Sequence, residues 1–346
     1  MSQQFPTEEN QMNKERKAKH HIYTGGDFEK LVTESTIFAD KSLFIQEILG
    51  TSSEVTLITM PRRWGKSINM DMLKRFLEIK VNDQGSLSEL KKKEGKELFF
   101  GNKDGLKPLK ISQTLINRSI KGKSVESLSE DYQGIYPVIR ISFKDCKGSS
   151  YEEVKNNIKY QIRLLYQKHR HLSNVNEYKT YFEEIERGGT SAIKFGLKNL
   201  SRLLYQHFDK KVWVLIDEYD APINNAFMKF ENTQETEQVV DLFRGIFESV
   251  FKENEYLEKG FITGVNRIAK ANMFSGLNNV REYNFQNARI AQYYGLDEEE
   301  LTQLFEHFNI PKELKEEAKN WYNGYRVKKV DSNEYGGKKH KSPWAN

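Results

Sequence analysis

Cysteine is nearly missing from this chain: Cys146 is the only one in 346 residues. An internal disulfide is therefore impossible, a metal site built on cysteine is excluded, and a reducing compartment fits. Long apolar runs are missing too. No stretch approaches the roughly 18 consecutive apolar residues of a membrane-spanning helix. The first 20 residues are polar and charged, with no apolar core of a secretory signal. These absences predict a cytoplasmic or otherwise intracellular protein with no membrane partner. None of the seven histidines stands in a His-x-x-x-His or His-Glu-x-x-His pair, which argues against zinc. No Gly-x-Ser-x-Gly nucleophile elbow occurs.

Charge is plentiful and nearly balanced, with 54 Lys and Arg against 49 Asp and Glu, a net charge of +5. The excess gathers in three runs, Lys14 to Lys19, Lys91 to Lys93 and Lys338 to Lys341. Such runs bind nucleic acid in some proteins, but more often they are solvated ends and loops. Nucleic acid is thus an open, weakly supported partner.

One segment carries specific chemistry. Val55 to Met60 is an apolar run, a short loop closes on Gly65-Lys66-Ser67, and an amphipathic series (Ile68, Met72, Leu73, Phe76, Leu77) follows at once. Strand, loop and helix in this order are the context of a phosphate-binding P-loop. Backbone N–H groups and the partial positive charge of a helix start would face phosphate. Lys66 would reach the β- and γ-phosphates and the Ser67 hydroxyl would take Mg²⁺. The usual first glycine of G-x-x-x-x-G-K-[ST] falls on Met60, where Pro61 also restricts the backbone. The loop is either a family variant or a degenerate one.

A second apolar run, Val212 to Ile216, ends in Asp217-Glu218. It reads as a strand buried on both faces of a parallel sheet. Its carboxylates would lie where open α/β sheets bind ligands. Asp217 would hold Mg²⁺ through water and Glu218 would polarise the attacking water. Asp220 would assist the metal, orient the water or cap the next turn before Pro222, with capping slightly favoured. A third strand, near Phe261, follows an amphipathic helix. Thr263, Asn266 and Arg267 at its end are candidates to sense the γ-phosphate, and Arg267 to stabilise transition-state charge in cis or in trans. A solvated Arg267 is an equal alternative. Cys146 is expected to be a small semi-buried residue.

Residues 1–21 read as a disordered tail. Strands are expected at 55–60, 138–143, 212–217 and 261 onward, with 282–285 completing the sheet. Helices are expected over 44–49, 68–80, 154–165 and 193–204. The connection from 81 to Tyr136 looks less regular, and Lys91 to Lys93 falls on a surface insertion within it. Alternating strands and helices predict an α/β fold, a P-loop NTPase-type parallel sheet flanked by helices, over 22–285. A small, mainly helical appendage is expected over 286–346, beginning with a capped helix at Asp297 to Glu300.

Several strings resemble one family. They are Asp27-Phe28 with Leu31, Ala39 to Ile45, Pro61 to Ser67, Tyr136 to Ile139 with Ser142 to Asp145, and Leu215 to Asn224. Then come Thr263-Gly264 with Arg267 to Lys270, Phe274 to Asn279, Tyr294-Gly295 and Trp321 to Tyr325. In this order they resemble the AAA-ATPase-like family over roughly residues 22 to 345. The resemblance implies a loop built on Pro61, Arg62, Arg63, Trp64, Gly65, Lys66 and Ser67, binding ATP. Met60 stands where arginine is common, which removes a possible phosphate contact. It also implies that residues 286–346 are lid-like. Relatives often carry a C-terminal PD-(D/E)xK nuclease-like domain, which the resemblance implies is lacking after Pro343-Trp344.

The expectation is an ATP-binding P-loop protein that hydrolyses ATP slowly with Mg²⁺ and acts as a regulatory or conformational switch. Catalysis falls to Glu218, Lys66 and Arg267; ATP binding to Pro61 through Ser67 and Thr263; Mg²⁺ to Ser67 and Asp217. No Asn-Lys-x-Asp string reads guanine, so adenine is the expected base. A protein partner or self-association would receive the switch. The alternative is a non-catalytic nucleotide-binding interaction module. A small-molecule kinase would use the same loop but needs an acceptor pocket for which the sequence gives no sign.

Overall fold

The computed structural model describes residues 21–318, except 104, 114–115, 121–122, 126–130, 231–232, 267–272, 275, 278, 312 and 316. Two short helices, α1 (Phe28–Glu34) and α2 (Leu43–Leu49), lead into β1 (Val55–Thr59) and α3 (Lys66–Leu77). Helices α4 (Glu89–Phe100) and α5 (Lys110–Gln113) follow, then β2 (Ile116–Ile120), β3 (Lys123–Val125) and β4 (Val138–Ser142). Next come α6 (Tyr151–Lys168), α7 (Tyr178–Arg187), α8 (Thr190–Phe208) and β5 (Val212–Asp217). The described chain closes with α9 (Ala221–Lys229), α10 (Thr233–Phe251), β6 (Leu257–Gly264), β7 (Val280–Asn284), α11 (Ala288–Ala291) and α12 (Glu298–His307).

The main sheet has the order β4-β5-β6-β1-β7, and every pairing in it is parallel. Successive side chains in a strand point to opposite faces, and here each face has its own core. Val55, Leu57, Ile139, Ile141, Val214 and Ile216 join the apolar stripes of α6, α8 and α10. Ile58, Trp213, Leu215 and Phe261 join α2, α3 and Phe99 of α4. All six residues of β5 are buried because helices cover both faces. The α/β fold with a parallel sheet flanked by helices is therefore as the sequence predicts.

The connection before β4 is more ordered than its sequence suggests. It holds α4, α5 and an antiparallel β2–β3 ribbon. Lys91 to Lys93 lie on α4, exposed, rather than in a loop. Ser150 accepts the N–H of Glu153 at 3.4 Å, but the Glu153 carboxylate turns to the N–H and hydroxyl of Ser149 instead of closing a box. The capping box that the Ser150-x-x-Glu153 spacing predicts therefore does not form, whereas one closes at the expected capped helix α12, between Asp297 and Glu300. Ile290, Ala291 and Tyr294 enter the same core as Phe44. The tail 1–20 with its lysine run, and the run from Lys338, lie outside the described residues.

Candidate functional site

The loop between β1 and α3 solves its missing glycine by moving the turn. Met60 prolongs β1: its N–H donates to Gly264 O at 3.1 Å, and its side chain is fully buried among Ile58, Met70 and Phe261. A core role explains an apolar residue there. The left-handed backbone falls instead on Arg63 (φ 67°) and Gly65 (φ 80°). Gly65 is the N-cap of α3 and no side chain caps it, so first-turn N–H groups are left for an anion. Arg62 and Arg63 are exposed, while Pro61, Trp64, Gly65 and Ser67 are half-buried. Lys66 is buried, and its ammonium donates to Met60 O at 2.9 Å and Pro61 O at 2.8 Å.

Burial pulls the Lys66 pKa down, against the opposing pull of Asp217, Glu218 and Asp220. The loop amine and the acidic strand end therefore share one field. Asp217 is buried and accepts from the Thr263 hydroxyl at 2.6 Å. Glu218 carries φ 51°, a left-handed conformation uncommon for a non-glycine residue. Burial, then Asp217, raises its pKa, and Lys144 and Lys66 work against that rise.

Asp220 is not the capping residue that its place before Pro222 suggests. It stands at the N-cap position of α9 without a side-chain cap bond. Its carboxylate accepts the N–H groups of Val265 and Asn266, both at 3.1 Å, and Asn224 Nδ2 at 3.2 Å. Tyr219 adds two ties, from its N–H to Thr263 O at 3.1 Å and from its hydroxyl to Asn266 O at 2.9 Å. Gly264 makes this clasp possible. A Cβ there would lie 2.5 Å from the Tyr219 ring and 2.8 Å from Asp220 Oδ1. Arg267, the candidate transition-state arginine, lies outside the described residues.

Other residues bear on the site without a local motif to mark them. Asp71 of α3 is buried and bonds Arg140 of β4, Arg75 Nε at 2.7 Å and Phe28 N at 2.9 Å. Arg140 also reaches Ser67 O at 3.4 Å. The only sequence hint was the Asp71–Arg75 spacing of four. Asn69 donates to Tyr293 O at 2.9 Å, and Gly295 N donates to Trp64 O at 3.2 Å. Cys146 is fully buried and its thiol is pushed up to about 12 by burial, with Asp145 adding to the rise.

A parallel sheet that brings a Gly-Lys-Ser helix start and an acidic strand end into one field defines an α/β P-loop NTPase-like protein. The chain belongs to the AAA-ATPase-like family: residues 23–96 and 112–274 match the family described as a predicted AAA-ATPase. The strings at Phe274 to Asn279 (after its first residue), Tyr294-Gly295 and Trp321 to Tyr325 lie beyond the matched segments. The chain is also similar to a protein of Azotobacter chroococcum mcd 1, the "Uncharacterized protein in vnfD 5'region". They are 24% identical over 288 residues, which is 83% of this chain and 45% of that protein. The chain thus spans less than half the length of that relative. No solved structure matches it. Among the described residues no helix is long and apolar enough to cross a membrane.

Proposed function

We propose that this chain binds ATP with Mg²⁺ and hydrolyses it slowly, the nucleotide state switching a conformation. The observation that carries the reading is Lys66, a buried ammonium held, among the described residues, by carbonyls of its own loop and in the field of Asp217, Glu218 and Asp220. A phosphate chain at the start of α3 would take those bonds over, with the amides of Gly65 and Lys66 as further donors. Pro61 to Trp64 shape the loop, and Arg62 and Arg63 add positive charge beside it.

The donor set suits Mg²⁺. Among the described residues no three His, Cys, Asp or Glu side chains gather as metal ligands. One carboxylate, Asp217, and one hydroxyl, Ser67, match an ion that keeps most of its waters and leans on substrate phosphates. When bound, Mg²⁺ would neutralise charge on the β- and γ-phosphates. Thr263 fixes the Asp217 carboxylate and stands at the γ-phosphate end. Glu218 orients and deprotonates the attacking water, a task favoured by its raised pKa. Arg267 supplies positive charge, in cis or from a second copy or partner. Residues from 286 onward act as the lid, a role supported by the bonds from Asn69 to Tyr293 and from Gly295 to Trp64.

The test is phosphate release from Mg²⁺-ATP by the full chain. Glu218→Gln should lose about 10²–10⁴-fold in rate and still bind ATP, while Lys66→Ala should lose both. A wild type that binds ATP but releases phosphate no faster than Glu218→Gln would favour the second reading, a non-catalytic nucleotide-binding interaction module. That module would keep Lys66 bonded to Met60 and Pro61 with nucleotide present.

A further inference from the structure

Two adjoining clefts lie beside the start of β4, at the opposite end of the parallel strands from Lys66. The larger has a volume of about 510 Å³ and the smaller about 300 Å³. They share Glu78 and Lys80, and residues of α4 line both, so together they make one groove beside that helix. Lys92 and Lys96 line the smaller cleft, and Lys91, Lys168 and Arg170 line the larger. The acids there are few. Glu78 is already held by Lys74 at 2.8 Å and Lys80 at 3.1 Å, and Asp83 is the other.

A second observation points to a ligand. His169 lines the larger cleft and is 8% exposed, yet among the described residues neither ring nitrogen has a hydrogen-bond partner. Nε2 of His171 is in the same condition, and so is Oε1 of Gln133 in the smaller cleft. Buried polar atoms normally find partners. Lysine ammoniums and an imidazole N–H are donors and suit anionic oxygens, whereas Gln133 Oε1 and the unprotonated imidazole nitrogen are acceptors and suit N–H groups such as a base edge offers. Burial, then Lys168, pushes the His169 pKa down to about 3, so at neutral pH the ring offers one donor and one acceptor. The same cleft is also lined by apolar groups: Pro137, Val138, Leu204 and Phe208.

We propose that this groove binds single-stranded nucleic acid, with phosphates on the lysines and a base against Phe208 and Pro137. A cationic track joined to an aromatic platform is how single strands are held without sequence readout. The larger cleft falls in the range of about 300–1,000 Å³ that encloses a small ligand, and such a concavity admits a flipped-out base rather than a duplex. The exposed face of α4 then has a task of its own, separate from the phosphate loop.

The experiment is fluorescence anisotropy of a labelled oligothymidylate with the full chain, at low and near-physiological salt. Binding should weaken with salt, with a log–log slope of about −0.7 for each phosphate contacted. The triple variant Lys91→Glu, Lys92→Glu, Lys96→Glu lies on an exposed helix face and should fold; it should weaken binding at least about tenfold, by the same loss of phosphate contacts. Lys168→Gln with Arg170→Gln should weaken it too. Both variants should release phosphate from Mg²⁺-ATP as the wild type does, which separates this site from the nucleotide reading. Three results overturn the proposal: no binding by the wild type, equal displacement by polyglutamate, or loss of binding only when Lys14 to Lys19 or Lys338 to Lys341 are neutralised.

Discussion

The two halves of the candidate site are held in opposite ways. The acidic half is clasped from outside itself: Asp217, Tyr219 and Asp220 on one strand end are bonded to Thr263, Val265 and Asn266 on the next. The phosphate half meets neighbouring strands at its margins, through Met60 N–H to Gly264 O and Arg140 to Ser67 O; within, it is bonded to itself and to the chain beyond the sheet. Lys66 returns to Met60 and Pro61, and Trp64 O accepts from Gly295. A clasped element has one arrangement. A loop whose amine leans on its own carbonyls can exchange those bonds without breaking anything else. On the proposed function, the phosphate loop is the half that would respond to ligand, and the Gly295–Trp64 bond would carry the response beyond the sheet.

The comparison breaks first at Asp71, which anchors the helix behind the phosphate loop. Asp71→Ala leaves Arg140, whose side chain is 24% exposed, without its carboxylate. Removing one partner of a buried pair costs about 3–5 kcal/mol, and the partial exposure of Arg140 sets the expectation at the low end. Urea unfolding would read it. A loss below about 1 kcal/mol, the value of a surface pair, would mean that α3 is anchored by its apolar face alone. Next is Gly264→Ala in the clasped half. Its methyl would meet Tyr219 and Asp220 at less than 3 Å, an overpacking worth about 1–3 kcal/mol. It should also slow phosphate release, because Glu218 immediately precedes the displaced Tyr219. A variant of normal stability and rate would show that the clasp is loose.

Much of this architecture was legible in the sequence. Apolar runs of five or six residues bounded by polar turns marked β1, β4 and β5, and period 3.6 marked α6 and α8. What was not legible has physical reasons. Met60 looked like a damaged phosphate contact because a pattern records positions and not directions, and its side chain points into the core. The positive φ moved to Arg63, a residue type that gives no hint of it. Asp220 before Pro222 reads as a cap by local rules, and only tertiary structure offers it the N–H groups of Val265 and Asn266. Helix α7 was missed although Tyr178, Phe182 and Ile185 have helical spacing and Gly188 closes it in a left-handed turn. The ties of Arg140 to Asp71 and of Asn69 to Tyr293 join residues far apart in the chain, so no local pattern encodes them.

Glu218 sharpens the comparison further, since it sits in the clasped half with strained backbone. A left-handed residue with a Cβ costs about 1–2 kcal/mol. Glycine relieves that strain but adds about 0.4–1 kcal/mol of unfolded-state freedom. Glu218→Gly should therefore gain about 0.5–1 kcal/mol in unfolding free energy while phosphate release is lost. A variant that loses both stability and rate would place the φ of 51° among ordinary turns and remove the argument that the clasp stores strain for function.

The smallest expected effect tests the field between the halves. Burial, then Asp217, raises the Glu218 pKa, and Lys144 lowers it. A base must be ionised to accept a proton, so phosphate release should fall as pH drops, on a limb lying above the ordinary carboxylate value. Removing a nearby cation disfavours the carboxylate. Lys144→Ala should therefore move that limb to higher pH, with the rate above it unchanged. The measurement is the pH profile of phosphate release for both proteins. A limb that moves down, or one that stays while the plateau falls, would mean that Lys144 acts on the substrate and not on Glu218.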